Sequence, residues 1–270
     1  MGERVSVLMG IFNCADTLEQ AVVSIQNQTH SDWELILCDD GSADDTYRIA
    51  KMLAERDSRI ILLKNERNMG LNYTLNRCLQ VATGDYIARM DGDDACVPER
   101  FEMQLEILRS HPEIDIVSSH MALFDEAGEW GLAKVPLNPS PEQIVGGTAI
   151  HHAAVMMRKS AMDAVGGYSE DPRTMRVEDL DLWIRLYVRG SRCYNIQKPL
   201  YRMRNDQNAL MRRKYRFRIN SARVRLRGCR DLKLGPVSYV KAIRPLIVGL
   251  VPAKLRQTYK KIMQKVRHNP

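Results

Sequence analysis

Short apolar runs alternate with stretches of helical periodicity through the first 120 residues, and that rhythm leaves few folds open. Residues 5–12 read as a buried strand, and residues 15–28 set Leu18, Ala21, Val22 and Ile25 on one helical face. The same reading gives strands at 33–38, 59–64, 85–90 and 114–118, with helices at 43–56, 70–82 and 98–110. Ser42, with Asp45 three residues on, is expected to cap the second helix, and Pro98 to sit in the first turn of the fourth. Strands separated by single helices must cross over, which predicts an α/β fold with a doubly wound, mostly parallel sheet. Beyond residue 120 the rhythm weakens. Residues 124–150 read as loops with one short hairpin, 153–158 as a strand, 160–165 as a short helix, 177–188 as a helix and 192–197 as a strand.

Charge divides the chain near the end of this pattern. Residues 1–201 hold 20 Lys and Arg against 31 Asp and Glu, whereas residues 202–270 hold 20 against only Asp206 and Asp231. An acidic body with a basic tail results, and the expected organisation is one domain over 1–203 and a basic helical extension over 204–270. A hydrophobic fraction of 44% supplies a full core and excludes a disordered chain. The cysteines are scattered without CxxC spacing, which argues against a zinc site and fits a reducing compartment. The chain enters a strand at Val5 without a secretory signal. The longest apolar run of the tail, 245–253, falls well short of the roughly 20 residues that span a bilayer. A cytoplasmic protein is the expectation.

Chemistry-bearing residues gather at strand ends. The first strand runs out at Phe12-Asn13, the second at Asp39-Asp40-Gly41-Ser42, and the fourth at Asp91-Gly92-Asp93-Asp94. In open parallel sheets, ligands bind beyond the carboxyl ends of the strands. Paired carboxylates are costly unless a cation neutralises them, and hard oxygen donors suit Mg²⁺ or Mn²⁺. The alternative for Asp94 is a capping role ahead of the helix that follows Pro98. Carboxylates act on phosphate only through a metal but can hold hydroxyls and base N–H groups directly. A nucleoside diphosphate suits that division.

The spaced motifs resemble the family 2 glycosyltransferases, inverting enzymes with the type-A nucleotide-sugar-binding fold. The resemblance rests on residues 5–13, Asp39-Asp40-Gly41-Ser42, Asn68-Met69-Gly70-Leu71 and the DxD segment 84–94 with Pro98-Glu99-Arg100. It continues through 152–158, Val165-Gly166-Gly167-Tyr168 and Glu178-Asp179-Leu180-Asp181-Leu182-Trp183, covering roughly residues 4–203. It is nearest to members making bacterial exopolysaccharide or capsule.

The resemblance implies roles residue by residue. Asp40, with Asp39 beside it, would accept the base N–H, and Phe12 and Asn13 would line the base pocket. Asp91 would meet ribose or sugar hydroxyls, and Asp93 would hold the metal on the diphosphate. Asp179 would be the general base toward the acceptor hydroxyl, with Glu178 beside it. The bland reading of that pair is acidic residues placed to suit a helix dipole. Asp181 is expected to pair with Arg185. His152 either orients an acceptor, lies in the outer metal shell, or is a structural hydrogen-bonder.

Three departures qualify the pattern. Leu75-Asn76 stands where many members have Arg-Asn, and Tyr201-Arg202-Met203-Arg204 stands where many end in a metal-completing His. Arg cannot ligate a cation, so Arg204 either contacts the donor diphosphate or simply opens the basic tail. The QxxRW signature of processive synthases is absent, which implies transfer of one sugar per encounter. Two rivals stand beside this reading. One is a catalytically silent nucleotide-sugar-binding or partner-binding protein. The other is a sugar nucleotidyltransferase, whose basic Gly-rich loop is not matched by Asn13-Cys14-Ala15-Asp16.

The tail mixes cations with apolar residues over 212–218, 223–227, 243–251 and 254–267. Such a segment suits an anionic membrane surface. No nucleic-acid recognition module is evident, and packing on the acidic body is the alternative. A lipid-linked saccharide acceptor would explain a tail facing the inner side of the cell membrane.

Overall fold

The computed structural model describes residues 3–204 and 215–250. The predicted rhythm appears as β1 (Val5–Ile11), α1 (Leu18–Gln26), β2 (Trp33–Asp39), α2 (Thr46–Arg56), β3 (Ile60–Lys64), α3 (Leu71–Val81) and β4 (Tyr86–Arg89). β1 runs parallel to both β2 and β4, with Val5 opposite Trp33 on one side and Tyr86 on the other. β2 is buried at every position, as a strand covered on both faces must be. α1 buries Leu18, Ala21, Val22 and Ile25, the face its periodicity marks. The spatial order β3-β2-β1-β4 means the chain winds outward from β1 and then returns to its other side. The switch point lies between the ends of β1 and β4.

The second half is mixed rather than parallel. β5 (Ala95–Cys96), α4 (Arg100–Ser110), β6 (Ile116–Asp125), β7 (Gly128–Ala133), α5 (Pro141–Gly146), β8 (Met156–Arg158), α6 (Lys159–Ala164), α7 (Glu178–Val188) and β9 (Cys193–Arg204) follow in sequence. The full order is β3-β2-β1-β4-β8-β6-β9-β5, with β7 hydrogen-bonded to β6. β8 is antiparallel to both β4 and β6, whereas β9 runs parallel to β6. β6 and β7 supply the expected hairpin. The same stretch also holds α5, where Gly and Pro content points to loop. Its capping box joins Ser140 to Gln143, and Gly147 closes it in the left-handed region.

Two helix starts differ from expectation. α2 begins at Thr46, and Ser42 does not cap it: the Ser42 hydroxyl accepts instead from the Asn13 amide at 3.0 Å. α4 begins at Arg100, which leaves Pro98 ahead of the helix.

The core lies on both faces of the sheet. Val5, Val7, Met9 and Ile11 enter one cluster, and Leu8 with Ile36 and Cys38 the other, as strand alternation requires. The second cluster also takes in Val224 and Cys229 of α8 (Tyr215–Asp231) and Ala242 of α9 (Pro236–Ala242). A Cβ at Gly228 would stand 2.6 Å from Ile184 Cδ1, so α8 lies hard against α7. Buried Asp181 bonds both Arg185, as its spacing predicts, and Arg227 of α8. The first part of the basic tail therefore shares the body's core. The helix expected over 254–267 lies outside the described residues.

Candidate active site

At the switch point β4 gives way to Asp91-Gly92-Asp93-Asp94, whose three carboxylates have oxygens within 4.8 Å of one another. They are no longer on a strand, so proximity comes from a turn held by its neighbours. The Asp91 amide donates to the Tyr201 hydroxyl at 3.1 Å, and that hydroxyl donates to Asp94 at 2.9 Å. The Arg204 amide donates to the other Asp94 oxygen at 2.7 Å. Asp94 thus ties the turn to β9 and does not cap α4. Thr17 fixes the turn from the opposite side through the Gly92 carbonyl at 2.9 Å.

Crowding shows in the electrostatics. Burial, then Asp91 and Asp93, push Asp94 up to about 8. Loss of solvent and the Asp91 charge also raise Asp93. Asp91 is held by an ion pair with Arg89, itself 3% exposed. Three hard oxygen donors with too little positive charge around them fit a divalent cation. The residues that would hold it are Asp91, Asp93 and Asp94.

The turn forms one wall of a cleft of about 410 Å³, in the range of small-ligand sites. Phe12, Asn13 and Cys14 from the end of β1 line it, together with Asp44, Asp91, Asp93 and Arg204. Asn13 adopts φ 50°, and its side-chain oxygen accepts from the Ala43 amide at 2.9 Å, joining the loops after β1 and β2. Phe12 keeps 46% of its surface exposed at the rim. The Arg204 guanidinium reaches the Asp93 carbonyl at 3.2 Å and Gln20 at 2.9 Å, and lies 4.7 Å from the Phe124 ring centre. It faces the site and is more than the opening of the tail.

Asp39 and Asp40 are brought near but are not in the cleft lining. Asp40 is 5% exposed; one oxygen accepts from Asn65 at 2.7 Å and the Met69 amide at 2.8 Å, the other from the Gly70 amide at 2.9 Å. Asp39 is fully buried beside the Ser42 amide. Asp40 therefore fixes the loop ahead of α3, with Gly41 at φ 72° because a side chain there would strike the Arg67 backbone.

His152 and the Glu178-Asp179 pair form a second group behind the turn. His152 Nε2 lies 2.8 Å from the Tyr168 hydroxyl, and its ring meets Tyr168 and Trp183 edge-on at 5.5 and 5.9 Å. Burial, then the nearby Arg89 charge, hold His152 well below the ordinary histidine value. Its ring is favoured in the neutral form beside the Tyr168 hydroxyl. Tyr168 lies within electrostatic reach of Arg89, Asp179, Glu178 and Asp91 and so links the pair to the turn. Asn76, the residue of the altered Leu75-Asn76 pair, braces Tyr168 through both its backbone N–H and C=O at 2.8 and 2.9 Å. Glu178 and Asp179 open α7, and burial, then Asp179, raise the Glu178 carboxyl.

Sequence reading missed the residues that support the site. Arg100 is fully buried and donates to the Arg89 and Val155 carbonyls at 2.9 and 3.1 Å. Gln104 holds the Ala154 carbonyl at 2.8 Å. The signal for Arg89 was present, a cation inside the apolar run Tyr86–Arg89 that has to find a partner. Arg100 and Tyr201 stand in motifs quoted for the resemblance, but nothing beside them in sequence marks them as supports.

EpsE of Bacillus subtilis (strain 168), whose name is that of a glycosyltransferase, is 44% identical over 261 residues, covering 96% of this chain and 94% of its own. WfaP of Escherichia coli, a UDP-Glc:alpha-D-GlcNAc-diphosphoundecaprenol beta-1,3-glucosyltransferase, is 28% identical and covers 72% of this chain and 74% of its own. Among solved structures, residues 1–349 of S. aureus TarS in complex with UDP superpose with a TM-score of 0.70 at 16% identity, over 90% of this chain and 70% of that one. That likeness confirms the type-A glycosyltransferase fold. The Glycosyl transferase family 2 profile matches residues 6–217, from β1 through the carboxylate turn, the opening of α7 and into α8, and the chain belongs to that family.

Proposed function

We propose that the chain moves one sugar, with inversion, from a nucleotide donor, UDP-linked, to a hydroxyl of a lipid-linked saccharide in the synthesis of a cell-surface polysaccharide. The observation that carries this reading is the carboxylate turn on the rim of the cleft at the switch point. Support for the donor comes from the UDP bound by TarS, and for the acceptor from the diphosphoundecaprenol-linked substrate in the name of WfaP.

The exposed Phe12 ring offers a stacking face for the base, with Asn13 beside it. Asp91 reaches ribose or sugar hydroxyls from the opposite wall. Asp93 with its neighbours would hold Mg²⁺ or Mn²⁺, which would supply positive charge for the departing diphosphate. Arg204 adds a permanent charge at the same wall, a share of work that a histidine would leave to the metal. Asp179 takes the proton of the acceptor hydroxyl as its oxygen bonds to the anomeric carbon. The bond from that carbon to the diphosphate breaks with its electron pair going to the leaving group. One base suffices, because the leaving group departs charged. Burial, then the Asp179 charge, raise the neighbouring Glu178 carboxyl. The lipid of the acceptor sets the reaction at the inner face of the cell membrane, where the basic tail is proposed to rest; nucleic acid has no place in this reading.

The test is Asp179→Asn, assayed across a panel of nucleotide sugars with and without Mn²⁺. Transfer should fall by about 10²–10⁴-fold while UDP affinity is kept. Turnover close to wild type would remove Asp179 as base. Intact UDP binding with no transfer from any donor by the wild type would favour the silent-protein rival.

A further inference from the structure

The three most exposed large apolar side chains among the described residues are Val240 at 68%, Val237 at 65% and Ile247 at 57%. All lie on two consecutive short helices, α9 and α10 (Arg244–Leu250), which only Ile243 separates. Their spacing is not random. Positions 237, 240, 244 and 247 recur at three- and four-residue intervals, which on helical backbone form one stripe. The inner face is set by Ser238 and Ala242, both buried, and Ala242 belongs to the core beneath. The helices therefore spend one face on the body and leave a second apolar face uncovered.

Charge says what that face fits. Lys241 and Arg244 are exposed in and beside the stripe, and Lys233 is exposed just before α9. From residue 232 to the end of the chain there are nine Lys and Arg and no Asp or Glu. An apolar stripe set among Lys233, Lys241 and Arg244, with Glu142 of α5 within electrostatic reach of Lys241, is complementary to anionic headgroups above acyl chains. No helix among the described residues is long and apolar enough to cross a membrane, so contact would be with the surface.

We infer that the outer face of α9–α10 is the surface by which this chain docks on an anionic lipid bilayer. The inference deepens the membrane part of the proposed function and rests on that reading for its purpose. It also gives the membrane contact a fixed relation to the chemistry. α9 and α10 pack on α8, and α8 packs on α7, whose first turn carries Asp179. Arg225 of α8 lies within electrostatic reach of Asp179. Docking through α9–α10 holds the acceptor base at a set distance from the headgroups.

The experiment is flotation of the full chain with vesicles of phosphatidylcholine alone and with about one third phosphatidylglycerol. The expected result is capture by the anionic vesicles and little by the neutral ones. Val237→Asp, Val240→Asp and Ile247→Asp together should weaken capture roughly tenfold or more, with melting temperature and UDP affinity unchanged because all three side chains are exposed. Lys241→Glu with Arg244→Glu should weaken it separately, by an amount that vanishes at high salt. Equal capture of wild type and the triple apolar variant overturns the inference, as does equal capture by neutral vesicles. A dimer in sedimentation that the triple variant breaks would assign the face to a second copy instead. Asp179→Asn should float like wild type. Loss of patch-dependent flotation with transfer to a detergent-solubilised acceptor intact would sink this inference alone, and the converse would sink the reaction alone.

Discussion

The acidic runs at the ends of β2 and β4 flank the same central strand, β1, and meet opposite environments. Asp39-Asp40 is buried, and Asp40 spends both oxygens on the Asn65 side chain and the Met69 and Gly70 amides. Asp91-Gly92-Asp93-Asp94 is gathered into a turn whose carboxylates crowd one another, so that Asp94 is raised to about 8. The first run lies among backbone and side-chain donors, whereas the second packs three carboxylates so closely that the Tyr201 and Arg204 bonds to Asp94 and the Arg89 pair with Asp91 do not offset burial and mutual repulsion. Carboxylates already supplied with donors hold a fold together. Carboxylates brought together without enough donors are free to act on something else.

That contrast can be broken at either end. The largest effect should come from Asp93→Ala, which should lower sugar transfer by about 10³-fold, some 4 kcal/mol of barrier. Its melting temperature should stay the same or rise, because a carboxylate leaves a crowded group; a cooperative loss of stability would show that the turn is structural after all. Asp40→Ala should instead show in stability. Leaving two backbone amides and the Asn65 side chain unpaired should cost about 3 kcal/mol in urea unfolding, and a loss below about 1 kcal/mol would dissolve the distinction between the runs. The smallest lever is pH acting on His152, which lies near Arg89 behind the second run. Its folded value is depressed, so the unfolded chain binds more protons below the ordinary histidine value of 6.5, and stability is lost as pH falls. The contribution is about 1.4 kcal/mol per pH unit below that point. Comparing His152→Gln with wild type between pH 7 and 5 isolates it; parallel stability curves would mean the imidazole protonates freely in the fold.

The fold was legible in the sequence where contacts are local. β1 to β4 alternate with α1 to α3 over short distances, and periodicity alone locates them. Beyond Ile116 the strands pair across long separations: β8 slots between β4 and β6, and periodicity says nothing about which neighbour a three-residue strand will choose. The site follows the same rule. Asp91, Asp93 and Arg204 converge as expected, because motif position at a strand end predicts where a side chain emerges. Ser42 does not cap α2 for a physical reason: its hydroxyl lies next to the Asn13 amide of another loop, and the Asp40 carboxylate is likewise met by the Met69 amide, contacts that local sequence does not show. Arg100 and Tyr201 were invisible as supports because the groups they hold arrive from distant segments.

Asp181 carries a consequence for how the two ends of the molecule respond to their surroundings. This one carboxylate, 1% exposed, grips guanidinium groups from α7 and α8 at once and so anchors the cationic arm to the rest of the protein. Counterions reach an enclosed pair far less readily than an open one. Raising ionic strength should therefore strip the protein from a charged surface long before it detaches the arm, so that release is a change of place and not of shape.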